Sequence, residues 1–355
     1  DQSLTREPDI TGLFVQHSQA AASGGTLFSP GTQLDGTPFS SCVPGQTITI
    51  MAIQGEAHLS PYAGQEVETS GVVTVVSSSG FYLQDPIGDG NDATSDAIFV
   101  FTGSAPSVAV GDALNVVAIV AEFYPGGFGS GNLATTELTN ATITVTSSGN
   151  VLPAPVVLGM NGRIPPHTII DDDSTGDANT TPTFDPANDG LDFYESVEAM
   201  LVQVNDAQVV GGTAFGEIVV VGDFGANATG LTARGGLVIS PTDFNPERIM
   251  IDDALVPDEP DASVGDTFTA PIVGVREYSF GNFKILNFDP LPPLNSAFTT
   301  ESTALAGSST ALTVATFNVE NLSPNDTQDK FDALASQIVN NLNSPVILSL
   351  EEIQD

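Results

Sequence analysis

E-V-E-T-S-G-V-V-T-V-V, Glu66 to Val76, followed by G-F-Y-L-Q, Gly80 to Gln84, sets the pattern from which the rest of the chain is read. Both runs are rich in β-branched or aromatic residues, which suit a pleated, half-buried surface. Outward from them, the same pattern predicts strands at Thr47–Ile53, Ala97–Phe101, Ala113–Phe123 and Thr139–Thr146, with Gly and Pro between. Strands this short and this closely spaced predict a small Greek-key barrel. Composition agrees: 35 Gly, 24 Pro and 41% hydrophobic content in 355 residues describe a folded, turn-rich, mainly β protein.

The barrel, residues 47–150, is expected to be of the OB type. Residues 1–46 read as a linker or the tail of a preceding domain. A Pro-containing link, Val151 to Pro166, and an acidic loop, Asp171–Asp192, lead to further strands at Ala199–Val204, Glu217–Val221, Gly236–Ile239, Phe268–Val275 and Phe283–Phe288. One echo ties the two sets together. Val110-Gly111-Asp112 precedes a strand ending near Glu122-Phe123-Tyr124, and Val264-Gly265-Asp266 precedes one ending at Glu277-Tyr278. Residues 151–295 are therefore expected to form a second OB-like barrel, the Gly-Asp pair making a turn and the aromatic capping the barrel. Residues 296–311 are a Pro/Ser/Thr-rich linker.

Charge narrows the function. Forty-four acidic against seven basic residues give a formal net charge of -37, and Lys284 and Lys330 are the only lysines. Such a surface stays soluble, attracts cations and repels bare phosphate backbones, as expected for a salty or extracellular setting. Cys42 is the single cysteine, so no intrachain disulfide can form. No apolar run approaches the roughly 20 residues of a membrane helix. With no Met or leader at Asp1, the chain reads as a processed form or fragment. His17, His58 and His167 are far apart, expected at surface or cap positions, and no zinc pattern exists. P-loop, G-x-S-x-G and dinucleotide fingerprints are absent.

Two segments near the C-terminal end carry chemistry. V-A-T-F-N-V-E-N-L spans Val314 to Leu322, and I-L-S-L-E-E-I-Q-D spans Ile347 to Asp355. Strands are predicted at Leu312–Asn318 and Pro345–Leu350. Phe331, Leu334, Ile338 and Leu342 lie at helical spacing between them. This β-α-β pattern, residues 312–355, delivers Asn or Glu at strand tips, which suits a hard divalent cation.

A strand ending in F-N, a helix, and a strand ending in L-[EQ]-E resemble the endonuclease/exonuclease/phosphatase superfamily, with its deoxyribonuclease-I-like fold. The resemblance covers only the first β-α-β unit of that α/β sandwich. It implies that Asn318 is the first active-site Asn, positioning metal and phosphate, and that Glu352 is a ligand of Mg²⁺ or Mn²⁺. Glu351 stands where many members have Gln. The family's catalytic His and Asp are expected beyond Asp355, leaving this piece inactive alone. Upstream, I-Q-G-E-A-H-L-S-P (Ile53–Pro61), G-F-Y-L-Q-D-P (Gly80–Pro86) and G-D-G-N-D-A-T-S-D-A-I-F-V-F (Gly88–Phe101) resemble the OB-like domain preceding the catalytic domain of large secreted bacterial nucleases. A-R-G-G-L-V-I-S-P-T-D-F-N-P-E-R-I, Ala233 to Ile249, resembles the segment between the two. The implied protein is a secreted, monomeric, metal-dependent nuclease acting on DNA or RNA. The rivals are a phospholipid phosphodiesterase of the same superfamily and a non-catalytic, calcium-dependent adhesion module.

Residues 49–150 contain ten acidic side chains and no Lys or Arg. Phosphate contacts dominate non-specific nucleic-acid affinity, so Phe81, Tyr82, Phe99, Phe101, Phe123 and Tyr124 are expected to pack in the core. Arg234, Arg248, Arg276 and Lys284 make the second barrel the better place for a phosphate. Two acidic loops suit Ca²⁺: Asp85, Asp89, Asn91, Asp92 and Asp96, and then Asp171, Asp172, Asp173 and Asp177. Neither follows EF-hand order.

Overall fold

The computed structural model describes residues 4–7, 13–25, 27, 47–181, 183–257, 259–296 and 299–354. Most of the expected leading linker thus lies outside the described residues. Strands β1 (Leu4–Glu7) and β2 (Leu13–Gln16) form an antiparallel pair there. The protein is mainly β and divides into two compact units, Asp1–Asn295 and Ser296–Asp355.

Within the first unit, five strands close into a barrel: β3 (Glu66–Val76), β4 (Gly80–Gln84), β5 (Ala97–Phe101), β6 (Ala113–Phe123) and β7 (Thr135–Ser147). Their order is β3-β4-β5-β7-β6, the OB arrangement, with β5 and β7 parallel and the other pairs antiparallel. Val73, Phe81, Leu83, Ile98, Val100 and Val116 fill the interior. The expected strand Thr47–Ile53 is instead a bridge at Thr47 followed by helix α1, Ile50–Gln54. Thr49 caps it by accepting from the Ala52 N–H at 3.2 Å, and Gly55 ends it at φ 76. Ile50 and Ile53, three apart, fall on one face and are fully buried in the barrel. Capping and helical spacing outweigh the β propensity of the Ile and Thr residues.

The second set of strands adds β8 (Val156–Val157), β9 (Leu201–Val204), β10 (Gln208–Ala214), β11 (Glu217–Val221), β12 (Ile249–Asp252), β13 (Thr267–Phe268), β14 (Ile272–Ser279), β15 (Asn282–Asn287) and β16 (Leu294–Asn295). Helix α2 (Gly190–Glu195) precedes β9. The expected second OB-like barrel is an open, curled, nine-stranded sheet ordered β16-β13-β10-β11-β12-β15-β14-β9-β8. Its inner order β10-β11-β12-β15-β14 nonetheless repeats the first barrel, including a parallel third-to-fifth pair, β12 with β15. The sheet also curls back on itself. Leu201–Val204 pair with Ile272–Val275, and Gln208 pairs with Thr267, so β9/β10 and β13/β14 are two kinked segments facing each other. Pro271, which has no N–H, interrupts one segment. Asp206, at φ 46, turns the other.

The Gly-Asp echo is a repeated structural device. Asp112 Oδ2 accepts from the Ala109 N–H at 2.8 Å, and Asp266 Oδ2 from the Ser263 N–H at 2.9 Å. Val73 exchanges backbone bonds with Gly111 and Asp112, and Val209 does the same with Gly265 and Asp266. Gly111 and Gly265 both have positive φ, 85° and 93°, as such a turn requires. Tyr278 is buried and packs against Phe283 of its own sheet. Its hydroxyl accepts from the Leu133 N–H at 3.2 Å, reaching the first barrel's β6–β7 loop. Four elements of this module, β8, β10, β12 and β16, lie outside the expected strands, and Gly236–Ile239 makes a bridge at Leu237 rather than a strand.

The two modules share a core. Val75, Tyr82 and Ala97 of the first pack with Val197, Leu201 and Val275 of the second. The Gln84 side chain accepts from the Leu201 N–H at 2.9 Å, and the Ser95 hydroxyl donates to the Glu198 carbonyl at 2.5 Å.

In the second unit, β17 (Val314–Leu322) and β18 (Ile347–Ile353) are parallel, connected through helix α3 (Gln328–Ser336), which continues as a π turn over Gln337–Asn341. Thr327 caps α3, accepting from the Lys330 N–H. Among the described residues of this unit, Val319 is the buried hydrophobic one, while Leu312, Val314, Val346, Ile347 and Ile353 are exposed.

Candidate functional site

The parallel pair places Asn318 opposite Glu351 in register, which brings the next residue, Glu352, to the same end. Asn318 Nδ2 donates to Glu352 Oε1 at 2.7 Å, and Asn318 Oδ1 accepts from the Glu320 N–H at 2.8 Å. The amide is thereby oriented, its nitrogen toward the carboxylate. Glu351 turns elsewhere and accepts from the Thr316 hydroxyl at 3.0 Å. After Asn318 the register shifts, and Glu320, Asn321 and Glu352 adopt left-handed φ of 52°, 54° and 61°. Non-glycine residues resist that region, so three of them at one strand end mark stored strain. Lys330 Nζ donates to the Glu320 carbonyl at 2.8 Å and pairs with Asp326 at 3.2 Å. The two residues that the family resemblance singled out are thus brought together. Their setting is exposed, and an oxygen-rich strand tip of this kind can hold a hard cation.

The acidic loop of the first barrel uses several of its side-chain oxygens internally. Asp85 Oδ1 accepts from the N–H groups of Ile87 and Gly88, and Asp89 Oδ1 from Asn91. Asn91 Oδ1 accepts from the Ala93 N–H, and its amide donates to Glu56 at 2.8 Å. Asp92 offers its carbonyl to Arg163 at 2.7 Å. Asp96 packs against Gly88, and burial together with Asp89 pushes its carboxyl up to about 6. Asp85, Asp89 and Asn91 therefore build turns, whereas the Asp92 carboxylate is exposed and Asp96 Oδ1 is buried without a hydrogen-bond partner. Among the described residues, the carboxylates that converge within 4.8 Å are Asp171, Asp173 and Asp189. Asp172 and Asp177 of the second loop are outside that group; Asp177 instead accepts from the N–H of Asn179. Asp189 escaped the sequence reading because it lies 18 positions after Asp171, at the start of α2.

Two of the three histidines correct the surface expectation, while His167 is exposed as expected. His17 and His58 are 1% and 2% exposed. His58 Nε2 lies 2.7 Å from Asp192 and Nδ1 3.4 Å from Glu195, both on α2. Burial opposes its protonation, but those two carboxylates outweigh it and push the imidazole up to about 10. Glu198, also buried, is driven well upward by burial and by the charge of Glu195.

Two of the four cations proposed for phosphate are internal. Arg276 is 1% exposed, stacks 4.0 Å over Phe283, and borders a cavity of about 410 Å³ with Tyr82, Phe99 and Glu198. Lys284 is 2% exposed and held by Glu217 at 2.5 Å and Asp252 at 2.7 Å. Internal cations cannot contact a duplex backbone. The aromatics divide: Phe81 and Tyr82 are buried, whereas Phe101 and Phe123 are 41% and 50% exposed. A larger cavity, about 650 Å³, is lined by Tyr124, Phe128, Tyr194, Tyr278 and Phe283 together with Arg248.

Residues 157–296 match a family described as a domain of unknown function, DUF8508. That match spans the second module from β8 to β16. No curated protein matches the chain. Among solved structures, a fission yeast Pot1 complex with single-stranded DNA is similar at 13% identity and a TM-score of 0.20, over 62% of this chain and 78% of that one.

Proposed function

We propose that this chain is the forepart of a secreted, divalent-metal-dependent phosphodiesterase that hydrolyses nucleic acid, with Asn318 and Glu352 forming half of its active site. The observation that carries the reading is the 2.7 Å hydrogen bond joining the two residues at the end of a parallel strand pair. Parallel strands are normally covered on both faces. Here Val314, Ile347, Leu350 and Ile353 of β17 and β18 stay exposed, and of the two strands' apolar side chains only Val319 is buried, which fits a sandwich completed by further chain. Bound Mg²⁺ or Mn²⁺ supplies charge neutralisation at the phosphoryl oxygens. Glu352 is the residue that would hold the ion, and Asn318 fixes the orientation of its carboxylate. The first unit serves as a spacer or positioning module, since its accessible surface offers few cations for a polyanion.

The test is hydrolysis of DNA, RNA and sphingomyelin by the full-length protein with Mg²⁺ or Mn²⁺, for wild type, Asn318→Ala and Glu352→Gln. The expected result is nucleic-acid cleavage falling about 10²-fold or more in each variant. Unchanged cleavage in both variants, cleavage of lipid alone, or no hydrolysis at all would overturn the reading.

A further inference from the structure

We propose that Asp171, Asp173 and Asp189 form a calcium site that ties the acidic loop to helix α2. The inference does not rest on the strand-tip site. One oxygen from each carboxylate lies within 4.8 Å of the others, inside the roughly 5 Å span of calcium's oxygen shell. Convergence alone is common on acidic surfaces, so the argument turns on Asp189. It is 3% exposed, and its Oδ1 is buried without a hydrogen-bond partner. Asp189 occupies the N-cap position of α2, where an Asp ordinarily accepts from the first helical N–H groups. Its side chain makes no such bond. A buried carboxylate that neither caps its helix nor pairs with a cation is costly, and here it faces two further carboxylates.

Backbone pairing builds the geometry. Ile169 and Ile170 carbonyls accept from Gly190 and Leu191, which lays the loop against the start of α2. Asp171 Oδ1 accepts from the Asp173 and Ser174 N–H groups, and Asp173 Oδ1 accepts from the Thr181 hydroxyl at 3.0 Å. Both loop carboxylates are thus oriented before any ion arrives. Three hard oxygen ligands on an irregular loop favour calcium, which accepts six to eight oxygens in flexible geometry, over magnesium, which demands a near-ideal octahedron. The same helix carries Asp192 and Glu195, which grip His58 of the first barrel. An ion at Asp189 therefore steadies the helix that joins the modules.

The full 355-residue chain, stripped with EDTA, is titrated with CaCl₂ and with MgCl₂ by calorimetry and thermal melting. Calcium is expected to raise Tm by roughly 5 °C at a hundredfold excess over Kd. Asp189→Asn and Asp173→Asn are expected to weaken calcium binding at least about tenfold, while Asp89→Asn in the other acidic loop leaves it unchanged. Asp173 is half-buried on the loop, so its variant reads the site even if Asp189→Asn fails to fold. No heat and no shift up to about 10 mM calcium, above the weakest extracellular affinities, would overturn the site. So would calcium binding that survives in the Asp173 variant, or magnesium acting as strongly as calcium.

Discussion

His58 Nε2 and Asp192 Oδ1, 134 residues apart, meet at 2.7 Å with His58 98% buried, so a charged pair crosses the seam between the two β modules. Glu195 adds a second carboxylate at 3.4 Å. The imidazolium form is the one this site selects.

Stability should therefore fall as pH rises. His58 is raised from 6.5 to about 10 in the folded protein. Its contribution is fully present below 6.5, where both states hold the proton, and is lost progressively as pH climbs to about 10. Urea melts between pH 6 and pH 9.5 should show this decline, and His58→Leu should flatten it. At pH 6 the substitution should cost about 3–5 kcal/mol by leaving buried carboxylates unpaired. A wild-type stability that rises across this range would contradict the pairing.

Glu137 should behave as a half-buried acid that prefers its proton. Burial alone pushes it up to about 7. Being raised, it weakens the fold as pH rises from the ordinary carboxylate range through 7, where the folded state must give up a proton it favours. Glu137→Gln is expected to raise Tm at pH 8.5 and to leave it nearly unchanged at pH 4. Equal effects at both values would show that titration is not the cause.

Lys284 is clamped between Glu217 and Asp252 on neighbouring strands of the second module. Lys284→Met removes the charge and keeps most of the volume. Because Glu217 and Asp252 retain some solvent contact, the expected loss is about 2–3 kcal/mol, below that of a fully buried pair. Equilibrium denaturation checks it, and a double-mutant cycle with Asp252→Asn should return a clear coupling energy.

Gly274 lies where β14 packs against β15, and a Cβ there would strike the Leu286 carbonyl and the Ile285 side chain. Its backbone is ordinary, so the constraint is space rather than dihedral angle. Gly274→Ala should destabilise by about 1–3 kcal/mol, the range for overpacking, as read by urea midpoint. Gly236→Ala, with its nearest neighbours at 3.7 Å, is the matched control and should change little.

Local pattern was enough for much of the first barrel. β3, β4, β5 and β6 fall where runs of Val, Ile and aromatic residues stand between glycines. Each run signals its own structure without help from distant chain. Thr47–Ile53 departs from that pattern because Thr49 and Gly55 act as helix caps and Ile50 and Ile53 are buried on one helical face, which together outweigh β propensity. β10 and β12 were hidden by Gly211-Gly212 and by a short acidic flank, and only pairing with neighbours makes them strands.

What the sequence determined by itself was the mainly β character, the repeated Gly-Asp turn and the order of Asn318 and Glu352 on two strands. These depend on residues close in the chain. Tertiary structure decided the rest, because it rests on meetings across long separations. It brought Asn318 to within 2.7 Å of Glu352 and buried His58 against α2. It also turned Arg276 and Lys284 inward, and added Asp189 to a loop from which no local spacing would have chosen it. Burial and convergence are properties of the packed chain, and they alone distinguish a structural charge from one that can meet a ligand.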